Sequence, residues 1–157
     1  MAGDGRLKCL LLPVSSGAIL LPDSLVAEIV PAQRHRQDGA SDEAWYLGAV
    51  EWRGRMLPMI SIEAMYDANV AAIAEKTSFV VLHRVNEEAG AEDYYAVHID
   101  GIPHFHHVSE ENLQSVKGPD RRFISHEVVV DGANAMIPDL DAVEEKLIGV
   151  IPAPAIV

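Results

Sequence analysis

The sequence predicts a mainly β protein built from two small barrels with short helices, and three observations carry that prediction. Apolar runs of strand length recur along the 157 residues, separated by turn-forming residues. Helical periodicity is confined to two short stretches, too few for a sheet of alternating strands and crossover helices. A faint internal rhyme links "SIEAM" (61 to 65) with "DLDAV" (139 to 143), each after a hairpin with a proline in or beside its second strand. The chain has room for two five-stranded units closed by these helices.

Residues 9 to 14 (CLLLPV) and 18 to 21 (AILL) flank Ser15-Ser16-Gly17 and read as a first hairpin. A turn at Pro22-Asp23 leads into "SLVAEIVP", where Glu28 stands alone among Val26, Ile29 and Val30. Residues 32 to 44 are polar and aperiodic, so they read as a surface loop. In "WYLGAVEWRGRMLPMISIEAMYD" (45 to 67) two apolar runs surround Arg53-Gly54-Arg55, giving a second hairpin with Val50 and Trp52 on one face and Ala49, Glu51 and Arg53 on the other. Ser61 is placed to cap a helix whose Ile62, Met65 and Tyr66 share a face. Residues 77 to 85 and 94 to 100 make a third hairpin, and 101 to 108 continue extended. Residues 109 to 120 read as a loop, 121 to 130 and "AMIPDL" as a fourth hairpin around Asp131-Gly132, and "DAVEEKLIG" as a last helix. The apolar, proline-spaced stretch 148 to 157 is expected to be an extended tail.

Composition narrows function. Acidic residues outnumber basic ones 24 to 12, and a formal charge of -12 repels phosphate backbones and anionic lipid surfaces, so neither nucleic acid nor membrane is an expected partner. No stretch approaches the ~20 apolar residues of a membrane span, and no export signal is recognisable, so a cytoplasmic location is expected. The single cysteine, Cys9, lies in a leucine-rich strand and reads as an inert buried thiol. No phosphate-binding loop, nucleophile elbow or H-E-x-x-H pattern occurs. His104, His106 and Glu110 in "HFHHVSEE" match the H-x-H-x3-E order of a cupin metal motif, but His107 points away on a strand and His126 lacks the second motif's spacing. The leading expectation is a binding module with no catalytic residue, metal or cofactor; a metal-binding barrel is the rival.

"YLGAVEWRGRMLPMISIEAM" resembles the CheW family of chemotaxis coupling proteins, whose signature runs approximately G-x-x-x-x-R-G-x-x-x-P-x-x-D-L. Gly48, Arg53-Gly54, Pro58 and Ser61-Ile62 take those places. Val26, Glu28 and Ile29 match the family's earlier V-x-E-I segment, and "YYAVHIDGIPHFHHV" matches a later one, with Gly101 at its core and Val108 at its end. The final hairpin and Asp139-Leu140 complete a resemblance over roughly residues 7 to 147. It implies two intertwined five-stranded SH3-like barrels and a non-catalytic adaptor. Such an adaptor would bridge the cytoplasmic tip of methyl-accepting receptors and the regulatory domain of a CheA-type histidine kinase, recruited to membrane receptor arrays. Val26, Glu28, Gly48, Arg53, Gly54, Gly101 and Val108 are the residues the resemblance assigns to those contacts or to their support. Ser61-Ile62 in place of D-L, Trp52 near the usual asparagine and His126 at a usual glycine resemble the auxiliary, ChpC-type members of type IV pilus systems. Those departures also suit an auxiliary protein that competes for receptors without coupling a kinase. Arg53, read as lying in a partly apolar setting, is expected to need a carboxylate partner, and Glu28 is the candidate.

Overall fold

The computed structural model describes residues 6–15, 17–34, 44–67, 76–85, 93–117 and 122–150. Eleven strands and two helices fall within them. The first hairpin is β1 (Leu7–Val14) with β2 (Gly17–Pro22), followed by a 3-10 turn at Asp23–Leu25. Then come β3 (Val26–Arg34), β4 (Tyr46–Trp52), β5 (Arg55–Ile60) and helix α1 (Ile62–Tyr66). The second half holds β6 (Lys76–His83), β7 (Tyr94–Ile99), β8 (His104–Val108), β9 (Leu113–Val116), β10 (Ile124–Val130), β11 (Ala133–Pro138) and helix α2 (Leu140–Val150).

The strands form two sheets, ordered β8-β1-β2-β11-β10-β9 and β3-β6-β7-β5-β4. The halves are exchanged. Hairpin β1-β2 of the first half sits among strands of the second, and hairpin β6-β7 of the second sits among strands of the first, joined by parallel contacts β2-β11 and β5-β7. This is the intertwining that the resemblance implies. Each sheet curls around its own core: Val30, Val50, Trp52, Leu57, Met59, Phe79, Val81 and Ala96 come from all five strands of one sheet and form a single cluster. In the other sheet Cys9, Leu20, Val108, Val128, Val130 and Ala135 do the same, with Leu113 from β9 against them.

A third and larger core fills the space between the sheets, with Leu10, Leu12, Ile19 and Leu21 facing Val80, Leu82, Val97 and Ile99. Side chains of a strand alternate faces, so β1, β2, β6 and β7 bury one set inside their own sheet and the other set between the sheets. Burial on both faces explains the unbroken apolar runs "CLLL" and "FVVL", which an exposed sheet would have interrupted with polar residues.

Three expectations need correction. The first sheet has six strands rather than five, because residues 113–116, read as loop, pair with β10 as β9; their exposed, mixed composition ("LQSV") hid a four-residue edge strand. Helix α2 runs through Val150, three residues into the stretch read as an extended tail, and residues 151–157 lie outside those described. The polar loop 32 to 44 begins later than read, since β3 reaches Arg34; most of the remainder is also outside the described residues.

The faint rhyme is a true structural repeat with a constant shift of 78 positions, carrying Trp45 to Phe123, Arg53-Gly54 to Asp131-Gly132 and Ser61 to Asp139. Ser61 and Asp139 each donate a backbone N–H to the carbonyl of the aromatic residue in front of the hairpin, Trp45 and Phe123, at 2.8 Å. Each also caps its helix, Ser61 Oγ accepting from Ala64 N–H at 3.1 Å and Asp139 Oδ1 from Ala142 N–H at 3.2 Å. Ser61→Ala should therefore lower the unfolding free energy by about 1 kcal/mol in a urea titration, and Ser61→Asp should keep it. A buried carboxylate pins each helix as well: Glu63 accepts from Ser15 N–H and Oγ–H, and Glu144 from Val85 N–H and Tyr95 O–H.

Candidate interaction site

Trp52 and Arg55 are the last paired residues of hairpin β4-β5, which leaves Arg53-Gly54 as a two-residue loop. Their φ angles are +49° and +76°, the left-handed pair that matches the right-handed twist of the flanking strands. Gly54 adopts that conformation without strain. Arg53 does not: the left-handed region disfavours a long L side chain by about 1–2 kcal/mol. The equivalent slot of the other hairpin holds Asp131, also at φ +49°, a residue type whose short polar side chain tolerates it.

Arg53 Nη2 donates to Glu28 Oε1 at 2.7 Å, so the structure brings together the two charges the sequence singled out. The setting differs from the expectation. Arg53 is 67% exposed and Glu28 37%, because the turn projects beyond the sheet. An ion pair so placed stabilises by roughly 0.2–1 kcal/mol, and a solvated Arg53 would not carry the penalty of a buried charge. The pair is thus too weak to explain an arginine in a strained slot.

The surroundings extend the site. Trp52 Nε1 donates to the same Glu28 oxygen at 3.3 Å, and the Arg53 guanidinium lies 4.8 Å from the Trp52 ring centroid. Trp52 packs on Tyr94 with centroids 5.0 Å apart, Tyr94 on His83 at 5.1 Å, and the Arg55 guanidinium lies 5.2 Å from the Tyr94 ring. Glu28, Trp52, Arg55, His83 and Tyr94 come from β3, β4, β5, β6 and β7, one from each strand of the five-stranded sheet. They ring one end of that sheet. Sequence reading missed Arg55, His83 and Tyr94 because strand-end positions become neighbours only when the sheet curls. The available signal was that each continues the inward-facing alternation of its strand.

The other residues assigned by resemblance divide into supports. Gly48 is buried at φ +99° beside a register shift between Tyr46 and Ala49, a bulge that bends β4. Val26 packs against the central core, and a further shift between Val26 and Glu28 turns the Glu28 side chain toward the hairpin. Gly101, at φ +154°, lies where an added Cβ would come 3.2 Å from the Pro13 ring, and Asp100 N–H donates to the Pro13 carbonyl at 2.8 Å. Val108 is a buried core residue of β8. None of these four belongs to that ring.

The cupin-like motif is not a ligand set: among the described residues no three His, Cys, Asp or Glu side chains form a group able to hold a metal ion. His106 instead pairs through Nδ1 with Asp131 Oδ2 at 2.9 Å, while Asn112 Nδ2 donates to Asp131 Oδ1 at 3.1 Å. This links edge strand β8 to the β10-β11 turn. The bonds to His106 and then Asn112 hold the Asp131 carboxyl below its ordinary 3.8. A lowered folded value means that this contribution is present above the unfolded value and is lost as pH falls through the folded one. Urea midpoints measured from pH 5 down to pH 2 should fall less steeply for Asp131→Asn than for the wild type. Cys9 is buried, and that burial together with Asp23 pushes its thiol up, away from reactivity.

A family profile, that of the CheW-like domain, matches residues 8–146. The chain belongs to the CheW-like domain family. Among solved structures, it is similar to the crystal structure of scaffolding protein TtCheW from Thermoanaerobacter tengcongensis, with a TM-score of 0.66 at 14% identity over 86% of this chain and 90% of that one. No curated protein sequence matches significantly. In CheW-like terms, the R-G pair is the left-handed turn Arg53-Gly54, and the E-I glutamate is its ion-pair partner. The departures are accommodated: Ser61 caps as an aspartate would, Trp52 joins the Glu28 network, and exposed His126 bonds Ser125 at 3.1 Å. No helix among the described residues is long and apolar enough to cross a membrane.

Proposed function

We propose that this CheW-like protein is a non-catalytic scaffold of chemosensory signalling that bridges the cytoplasmic tips of methyl-accepting receptors and the CheW-like regulatory domain of a CheA-type histidine kinase. The observation that carries this reading is Arg53 itself. It is an exposed arginine in a left-handed slot that its own ion pair does not justify, on a rigid hairpin at the mouth of a curled sheet. A residue held against its conformational preference at an exposed position points to selection for contact. The site offers an exposed arginine, aromatic faces and strand ends, which suits recognition of a protein surface.

Val26, Gly48, Gly101 and Val108 serve in this reading as supports that fix the hairpin and the crossing strands, while Glu28, Arg53 and Gly54 shape the contact. Recruitment to receptor arrays at the membrane follows from binding protein partners, with no direct lipid contact. The departures at Ser61, Trp52 and His126 favour an auxiliary branch of the family, with type IV pilus control as the output.

The test is direct binding of the purified chain to the regulatory domain of the host's CheA-type kinase and, separately, to receptor tip fragments. Saturable binding to both in the micromolar range is expected. Binding to receptor alone would replace the coupler with a receptor-competing auxiliary, and binding to neither would overturn the proposal.

A further inference from the structure

The 78-position shift that relates the two halves also relates two of their ion pairs. It carries Glu28 to His106 and Arg53 to Asp131. The 2.7 Å contact of Glu28 with Arg53 and the 2.9 Å contact of His106 with Asp131 therefore occupy the same place in the repeat. In each, one partner lies on an edge strand, β3 or β8, and the other opens a tight turn at φ +49°. Neither edge strand pairs with the strand at the opposite edge of its sheet, β4 or β9. Each side-chain pair thus bridges a place where a curled sheet is not closed by backbone pairing. The charges are inverted between the halves, and with them the chemistry. A guanidinium and a carboxylate keep their charges across the neutral range, whereas an imidazole takes up or releases a proton within it.

We infer that the His106–Asp131 pair is a pH-sensitive latch on β8, a full ion pair on the acid side of neutrality that slackens as the imidazole loses its proton, while the Glu28–Arg53 pair holds β3 unchanged. With the ring protonated, both partners of the 2.9 Å bond are charged; with the ring neutral only the carboxylate is, and the bond weakens. A histidine paired with a carboxylate contributes stability below its proton-release range and loses it as pH rises. The network grips the strand itself. Asn112 Nδ2 donates both to Asp131 Oδ1 and to the His107 carbonyl, and Ser109 N–H donates to Asn112 Oδ1. The groups that could titrate in its place are limited among the described residues. Across from His106 on β1 is Cys9, whose thiol is pushed up by burial and then by Asp23, and next to it Lys8 lies over the Phe105 ring. His104 shares the His106 face of β8, His107 takes the other, and Glu110 and Glu111 follow in the turn. Strands β9 and β11 carry no ionisable side chain, and β10 has only His126 and Glu127.

The experiment is hydrogen-exchange mass spectrometry of the full chain at about pH 5.5 and about pH 8.5, with each rate divided by its intrinsic value so that only structural opening remains. Strand β3 is the internal control. Protection of β8 is expected to be about 2–5-fold lower at the higher pH, with β3 unchanged. His106→Gln keeps a donor without the charge, so it should hold β8 near the wild-type high-pH level at both pH values. Asp131→Asn should likewise remove the pH dependence. Equal protection of β8 at the two pH values, an equal change in β3, or a pH dependence that survives either substitution would each overturn the latch.

Discussion

Glu144→Ala is expected to lower the unfolding free energy by about 2–4 kcal/mol, a large share of the roughly 5–15 kcal/mol that holds a typical domain folded. Glu144 is 2% exposed, on α2, and accepts from Val85 N–H at 3.0 and 3.1 Å and from Tyr95 O–H at 2.9 Å. Alanine would leave the buried Tyr95 hydroxyl with no acceptor, at roughly 1–3 kcal/mol, would take the partner from the part-buried Val85 N–H, and would open a cavity besides. Glu144→Gln keeps one carbonyl oxygen and should lose less. A urea unfolding series of the three proteins at neutral pH checks the order.

The same contact gives a pH dependence at the alkaline end. Burial first, then the neighbouring Glu144 carboxylate, raises the Tyr95 phenol well above its ordinary 10. A raised folded value means that its contribution is fully present below the unfolded value and is lost as pH rises through the folded one, because the unfolded chain ionises first. Stability should therefore fall above about pH 10, and Tyr95→Phe should blunt that fall.

Arg53→Asn is expected to separate stability from binding. Asparagine tolerates the left-handed slot, so relief of about 1–2 kcal/mol of strain offsets the lost exposed ion pair and stacking. The unfolding free energy should stay within about 1 kcal/mol of the wild type. Affinity for the protein partner should nevertheless fall by about 10–100-fold, the usual effect of truncating an arginine anchor. The internal repeat supplies a control, because Asp131 occupies the equivalent slot at the same φ and is there to hold His106 and Asn112. Arg53→Asn losing several kcal/mol of stability would show the residue to be structural; full affinity with unchanged stability would remove it from the interface.

The repeat shows why the fold was legible in parts. The hairpin turns, the Ser61 cap and the two-sided burial of β1, β2, β6 and β7 are local properties, written in glycine, cap residues and unbroken apolar runs. The pairing of Glu28 with Arg53 was also legible, as two isolated charges in apolar surroundings. Strand β9 was not, since an exposed edge strand needs no apolar alternation and takes its conformation from β10. His104, His106 and Glu110 show the opposite failure: a motif read along one strand suggested a metal, but the third dimension gave His106 to Asp131 from a distant turn.

By itself the sequence determined most of the strands, the hairpin turns, the Ser61 cap and the family, because these depend on residues close in the chain or on the order of a signature. Only the tertiary structure decided which hairpin enters which sheet, how exposed Arg53 is, and that five strand ends meet as one ring. Those depend on the exchange of hairpins between the halves and on the curl of each sheet. Both are set by how three apolar cores fill at once, a collective packing condition that no local stretch of sequence records.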